Sequence, residues 1–384
     1  MVERMTEAVS VSGTSQAPEL VSSEAKEAVR PAILVDSRSL RDYSGSLRHF
    51  LVGLSDGSHS AAVVCPPHPQ MTSVLCPGVE FITYPLIRLP MFRRQNMSVL
   101  LERLERFKPT VLHSFGAGRA RLARRLSQQL NLPYVLTFNR PGRRILEPRI
   151  DWANCPALVA SSRSLAAYLN KAYSRHSLRV RQINLATYVD DDCACFARSH
   201  GVPSLIVAQR LDSINEFEPL LHAVRHLVLD GHELVMAIIG SGRAEGKLYS
   251  LIRSLGLSQV VSVVPEIQPL RAVFAGADVF VQPRPHSEFN SRLLEAMSVG
   301  LAVAACEGSL DDMLITRQTA VFFDSSDELN IFEVLGSLLT DREMACSMAK
   351  AGQEYLRRHH TVSRMTSALI QTYQAAQQKH RKDR

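Results

Sequence analysis

The run Val279–Asp324, VFVQPRPHSEFNSRLLEAMSVGLAVAACEGSLDDMLITRQTAVFFD, constrains the fold more than any other stretch of the chain. Val279 to Gln282 is β-branched and aromatic and ends at Pro283, which predicts a buried strand running into a loop. Phe289, Leu293, Leu294 and Met297 then recur at helical spacing, with Ser287 ahead of them as the expected N-cap. Gly300 stops that helix, and Leu301 to Cys306 predicts the next buried strand. Strand, loop, helix start and strand together aim backbone N–H groups and the positive end of a helix at an anion. Any βαβ crossover has this outline, so spacing alone leaves both an anion site and a plain crossover open.

Glu288 and Glu295 lie seven residues apart, close to two helical turns, and so point in similar directions. Such carboxylates can bind sugar hydroxyls through charge-assisted hydrogen bonds worth roughly 1.5–3 kcal/mol each. The bland alternative is a solvated helix face.

The stretch LLEAMSVGLAVAACEGSLDDMLITRQTAVFFD resembles the nucleotide-sugar signature of retaining GT-B glycosyltransferases of family 4 (glycosyl transferases group 1). The resemblance implies an α/β fold of two Rossmann-like domains whose parallel sheets face a central cleft. It also implies a C-terminal helix crossing back to the first domain. The expected substrate is a nucleotide-diphosphate sugar whose diphosphate is held without metal, and no cofactor is expected to be tightly bound. By the same resemblance Glu295 holds the ribose, the amides at Asn290 and Ser291 hold the diphosphate, and Glu288 or Ser287 contacts the hexose. Glu307 and Gly308 border that pocket.

The match departs from the family at the reacting end. The family places seven residues between its two glutamates, whereas Glu288 and Glu295 have six between them. Aligned on Glu295, the first family glutamate falls on Ser287, and Glu288 takes a glycine position. Gln209, Arg210 and Leu211 resemble the family's glycine, arginine, leucine run, which makes Arg210 a diphosphate ligand suited by its forked guanidinium. The family lysine five residues on is Asn215 here. The family histidine that reaches the donor sugar is Asn139, which cannot carry a proton near neutral pH. Each lost donor of this kind can cost on the order of 3 kcal/mol in a barrier. These three changes keep a second reading in view: a catalytically weakened relative that binds a nucleotide or a partner without transferring sugar.

Leu234 to Ile239 predicts a strand closed by Gly240, Ser241 and Gly242, with Gly246 beyond and Glu266 about twenty residues later. This resembles a dinucleotide fingerprint and raises an oxidoreductase as a rival. Against it, the glycines follow the second strand of their domain, and the last comes one residue late. The glycosyltransferase family has a similar loop here, which puts Gly240 on the donor side.

Length and composition permit two full cores: 384 residues with 46% apolar content fit a globular chain. No apolar run is long enough for a bilayer span. The polar residues 1–30 predict a disordered tail, residues 31–190 an acceptor domain, 191–360 a nucleotide-sugar domain, and 361–384 a helix on the first domain with a frayed basic end. Seven scattered cysteines fit reduced thiols and a cytoplasmic protein. Cys193 and Cys195 lack the partners of a zinc site. The Asp190–Asp192 cluster reads as a solvated hinge more readily than as a divalent-ion site.

Net charge is +7, and its distribution is uneven. Between Arg88 and Arg181 stand nineteen Lys and Arg, among them Arg93, Arg94, Arg124, Arg125, Arg143 and Arg144, against four acids. Such a surface suits simple solvation, an anionic glycan or lipid acceptor, or an anionic membrane face. Pro85 to Phe107 mixes Leu86, Ile87, Leu89 and Met91 with arginines, a pattern that can lie on the inner face of a membrane or fold as a lid. Nucleic acid is not indicated, because few aromatics interleave with the charges. In the first domain Ala32–Asp36, Ala61–Cys65, Val79–Thr83, Val111–His113, Tyr134–Thr137, Ala157–Ser161 and Arg179–Asn184 predict a parallel sheet. A turn around Ser44 and Gly45 and the strand end at His113 fall on the acceptor side of the cleft.

Overall fold

The computed structural model describes residues 29–68, 71–87, 89–142, 149–198, 201–266, 269–309 and 311–383. Residues 1–28 of the expected tail, together with Arg88, Arg143 and Arg144, lie outside them. Val29 and Arg30, assigned to that tail, are part of the fold: Val29 is buried, and the Arg30 amide donates to Thr110 Oγ1 at 3.0 Å.

Two parallel sheets form the frame. Strands β1 (Pro31–Leu34), β2 (Ala61–Cys65), β3 (Val79–Thr83), β4 (Val111–Ser114), β5 (Tyr134–Phe138), β6 (Ala157–Ala160) and β7 (Val180–Gln182) make the first, in the order β3-β2-β1-β4-β5-β6-β7. Strands β8 (Ser204–Ala208), β9 (Val235–Ile239), β10 (Val261–Val264), β11 (Val279–Gln282), β12 (Ala302–Cys306) and β13 (Val321–Phe323) make the second, in the order β10-β9-β8-β11-β12-β13. The fold is GT-B, two Rossmann-like units side by side. Short runs such as AAVVC and AVAAC are buried at every residue, as strands covered by helices on both faces must be. Strand order reverses between β1 and β4 and again between β8 and β11, and at such switch points the loops splay apart and leave a crevice.

The first helix, Ser37–Asp56, begins at Asp36, whose carboxylate accepts from the Ser39 amide at 2.7 Å. Leu40, Leu47, Phe50 and Leu54 form its buried stripe. The turn expected at Ser44 and Gly45 is instead a kink within one helix, centred on Tyr43 (φ −133°, ψ 22°). A Ser-Gly pair gives a helix this option without ending it.

The terminal helix, Val362–Lys382, packs against the first lobe, where Tyr373 and Gln377 reach His113 and Thr110. It continues to Lys382, so the expected frayed end is helical that far. One apolar cluster joins the lobes, running from Phe50 through Leu293 and Met297 to Leu369 and Tyr373. The segment at Asp190–Asp192 is also more than a solvated hinge. Arg271 pairs with Asp190 at 2.6 Å, and Gln353 Nε2 donates to the Asp190 and Asp192 carbonyls at 3.0 and 2.9 Å.

Candidate functional site

A crevice of about 450 Å³ opens between the lobes at the carboxyl ends of the sheets. The first helix supplies Arg38, Arg41, Asp42 and Tyr43. The loop after β8 supplies Arg210 and Asp212. The loop after β11 and the helix it enters supply Arg284, His286, Glu288, Phe289, Asn290, Ser291 and Arg292.

The helix at its floor runs Ser291–Ser298, and its N-cap is Asn290, not Ser287. Asn290 Oδ1 accepts from the Arg292 and Leu293 amides at 3.1 and 3.3 Å, while its Nδ2 donates to Gln282 Oε1 at 2.7 Å. Ser287 is exposed in the preceding loop and does not line the crevice. The loop is longer than expected because it first docks on the other lobe: the Phe289 amide donates to the Asn139 carbonyl at 2.9 Å. Ser291 Oγ donates to the Asp42 carbonyl, a second tie between lobes.

Of the residues singled out from sequence, Arg210, Glu288, Asn290 and Ser291 meet in this crevice. The Arg210 guanidinium is forked on Asp212, Nε to Oδ2 at 2.9 Å and NH2 to Oδ1 at 3.0 Å. That contact raises the arginine further and holds the Asp212 carboxyl below its ordinary range. Glu288 accepts from Arg38 NH2 with both oxygens, at 3.0 and 2.8 Å, across the gap between lobes.

Glu295 lies one turn deeper along the helix. A Cβ on Gly45 would overlap Glu295 Oε1, so Gly45 of the first helix and Glu295 face each other across the lobes. Part of the residue's surface is accessible, yet its carboxyl group sits at depth, and burial raises it to about 7 against the opposing pull of Arg292 and Arg271. Asn139 is buried, and neither its Nδ2 nor its Oδ1 has a hydrogen-bond partner among the described residues. An orphaned amide of this kind costs stability unless something else engages it.

Other expectations are placed elsewhere. His113, expected on the acceptor side, is fully enclosed, with Nε2 2.7 Å from Thr137 Oγ1 and Nδ1 2.7 Å from the Tyr373 hydroxyl. Burial lowers it to about 3, so it is a neutral tie between β4, β5 and the terminal helix. Asn215 is exposed on the turn Ile214–Glu216, outside the crevice. Gly240 is required by packing: a Cβ there would strike the Gln209 carbonyl, where the ends of β8 and β9 converge. Glu307 and Gly308 are exposed in the turn after β12, with Gly308 at φ +80° near Pro285.

Sequence reasoning missed most of the cations. Arg38 and Arg41 come from a helix some 170 residues before Arg210, and only the switch-point topology brings them in. Arg284 and Arg292 stood inside the run first singled out, and their one available signal was that neither side chain suits a buried β-to-α connection. His286 lies between them, lowered to about 4 by burial and by both arginines. Among the described residues no group of three or more His, Cys, Asp or Glu side chains is placed to hold a metal.

A two-sheet GT-B frame with a cationic crevice at its switch points is the class of protein the geometry defines. Residues 46–186 match the family described as Glycosyltransferase Family 4, and residues 197–355 match Glycosyl transferases group 1. One match falls on each lobe, and with the fold they support a GT-B glycosyltransferase of the family 4 kind. The chain is 30% identical to the sulfoquinovosyl transferase of Arabidopsis thaliana over 148 residues, 38% of this chain and 29% of that relative's length. A glycosyltransferase structure from Rickettsia africae superposes with a TM-score of 0.72 at 12% identity, covering 91% of this chain and 98% of the other. Anabaena HepE, solved in complex with UDP and glucose, gives 0.70 at 13% identity, covering 90% and 100%.

Proposed function

We propose that this protein transfers a sugar from a nucleotide-diphosphate donor to a glycan or lipid-linked acceptor, with retention at the anomeric carbon. The observation that carries the reading is the meeting of Arg210 with the start of the Ser291–Ser298 helix in one interlobe crevice. Guanidinium groups and a helix N-terminus are the two devices that hold a pyrophosphate. The diphosphate lies between them, and the ribose lies one turn deeper beside Glu295, whose carboxyl group packs against Gly45 because that residue has no side chain. In this reading the unpartnered amide of Asn139 engages the sugar.

In the reaction the bond from the anomeric carbon to the diphosphate oxygen breaks, and the acceptor oxygen bonds to that carbon on the same face. The acceptor proton passes to the departing phosphate. Charge on that phosphate is the main thing to be stabilised, which is work for the crevice arginines.

The acceptor side belongs to the first lobe. There Leu86, Ile87, Leu89 and Met91 are exposed, and Arg93 and Arg94 are exposed beside them. Buried Asn96 fixes this loop, accepting from the Leu86 and Ile87 amides at 3.0 Å each. A fixed apolar tip beside arginines suits an anionic membrane face and a lipid acceptor. Sedimentation with phosphatidylglycerol vesicles at low salt, reversed by added salt, checks this. Failure to sediment removes the membrane contact and leaves sugar transfer standing.

The weakened-relative reading is favoured by one observation, the Arg210 fork already filled by Asp212. Release of nucleotide from a panel of nucleotide sugars, with and without Glu295→Ala, separates the two. Turnover lost on substitution supports transfer; saturable nucleotide binding without turnover in the unsubstituted protein supports the weakened relative.

A further inference from the structure

We propose that Arg284 supplies the second cation for the pyrophosphate, the role for which residue 215 offers only an asparagine. The inference rests on the nucleotide-sugar reading above. Arg210 follows β8 and Arg284 follows β11, the two strands that flank the switch point of the second sheet, and both side chains line the crevice.

Arg284 also reaches toward the turn from which a cation at residue 215 would project. Its NH1 lies 3.5 Å from Glu216 Oε1, one residue beyond Asn215, while Glu216 Oε2 accepts from Gln209 Nε2 at 2.9 Å. The other crevice arginines are held more closely. Arg38 meets Glu288 at 2.8 Å, Arg41 meets Asp42 at 3.1 Å, Arg210 meets Asp212 at 2.9 Å and Arg292 meets Glu266 at 2.8 Å. A contact of 3.5 Å is at the limit of a hydrogen bond and is weak. Arg284 Nε is in addition buried with no partner among the described residues. An incoming anion therefore displaces least when it takes Arg284. The planar fork then offers two parallel donors to adjacent phosphate oxygens. The chain thus obtains from the β11 loop what a lysine on the β8 side would have given.

The test is titration of UDP, ADP and GDP, with uridine as the phosphate-free control, into the full chain and the variants R284Q, N215K and R284Q/N215K. R284Q is expected to weaken binding of the preferred diphosphate about tenfold or more, the scale of one charged hydrogen bond. Uridine affinity is expected to hold, and N215K is expected to restore most of the loss. R284Q binding the diphosphate as tightly as the unsubstituted chain, or losing uridine equally, overturns the proposal. Glu216→Gln provides a check that keeps Arg284 in place: it releases the guanidinium and is expected to tighten UDP, and weaker binding contradicts the assignment. An unsubstituted chain that binds none of the three diphosphates overturns the donor reading itself, and Arg284 with it.

Discussion

Asn139 and Glu295 carry their chemistry in opposite ways, one as an amide without partners and the other as a carboxyl pushed toward neutrality. Truncating Asn139 to alanine removes two orphaned polar atoms. We expect thermal stability to stay level or rise, while the affinity for a nucleotide sugar falls toward that of the bare nucleotide. A clear loss of stability would show that the amide is satisfied within the fold. Glu295 has a folded value near 7, raised by burial from an ordinary 4.5. A raised acid stabilises the fold below its unfolded value, and that contribution is lost as pH climbs through the folded one. The Glu295 contribution to stability should thus decline between about pH 4.5 and 7, by roughly 3 kcal/mol at most, against the opposite slope from buried histidines such as His113 and His286. The urea midpoint of Glu295→Gln relative to the unsubstituted chain should rise as pH climbs through that window; a difference that stays constant with pH would place the titration elsewhere. Single residues were the least legible part of the sequence. Arg210, Asn290 and Ser291 were reached through resemblance to a family motif, while the apolar pattern alone set the helix cap three residues early at Ser287; Arg38 and Arg41 acquire meaning only when the first helix is set against the second lobe.

At the scale of elements, strand positions were read closely because each strand is a short apolar run bounded by turn residues. The departures lie where one element answers to another. The site helix starts at Asn290 instead of Ser287 because Phe289 must first bond to Asn139, and the first helix bends at Tyr43 where a break was expected. The terminal helix turns His113 from a cleft residue into a tie, and Tyr373→Phe tests this. We expect a loss of about 1–3 kcal/mol in chemical denaturation, as for an unmade buried hydrogen bond, with nucleotide affinity unchanged. Lost affinity at unchanged stability would return His113 to the site. Gly240→Ala should destabilise by about 1–3 kcal/mol or more, because the added carbon meets a backbone carbonyl that cannot rotate aside. A neutral outcome would mean that the strand ends part readily, and the glycine would then need a ligand-based explanation.

For the whole molecule, two parallel sheets and a helix crossing back could be anticipated from alternating apolar runs and the family resemblance. How the lobes meet could not. Ser291 on Asp42, Phe289 on Asn139 and Glu288 on Arg38 join positions about 150 to 250 residues apart, and nothing local encodes such pairs. That meeting makes the crevice in which the proposed site lies. The most direct test is a crystal structure of the protein saturated with UDP. Pyrophosphate density is expected within hydrogen-bonding distance of Arg210 and the first amides of the Ser291–Ser298 helix, with the ribose beside Glu295. UDP bound outside the interlobe crevice, or Arg210 still forked on Asp212 in a crevice without nucleotide, would contradict that expectation.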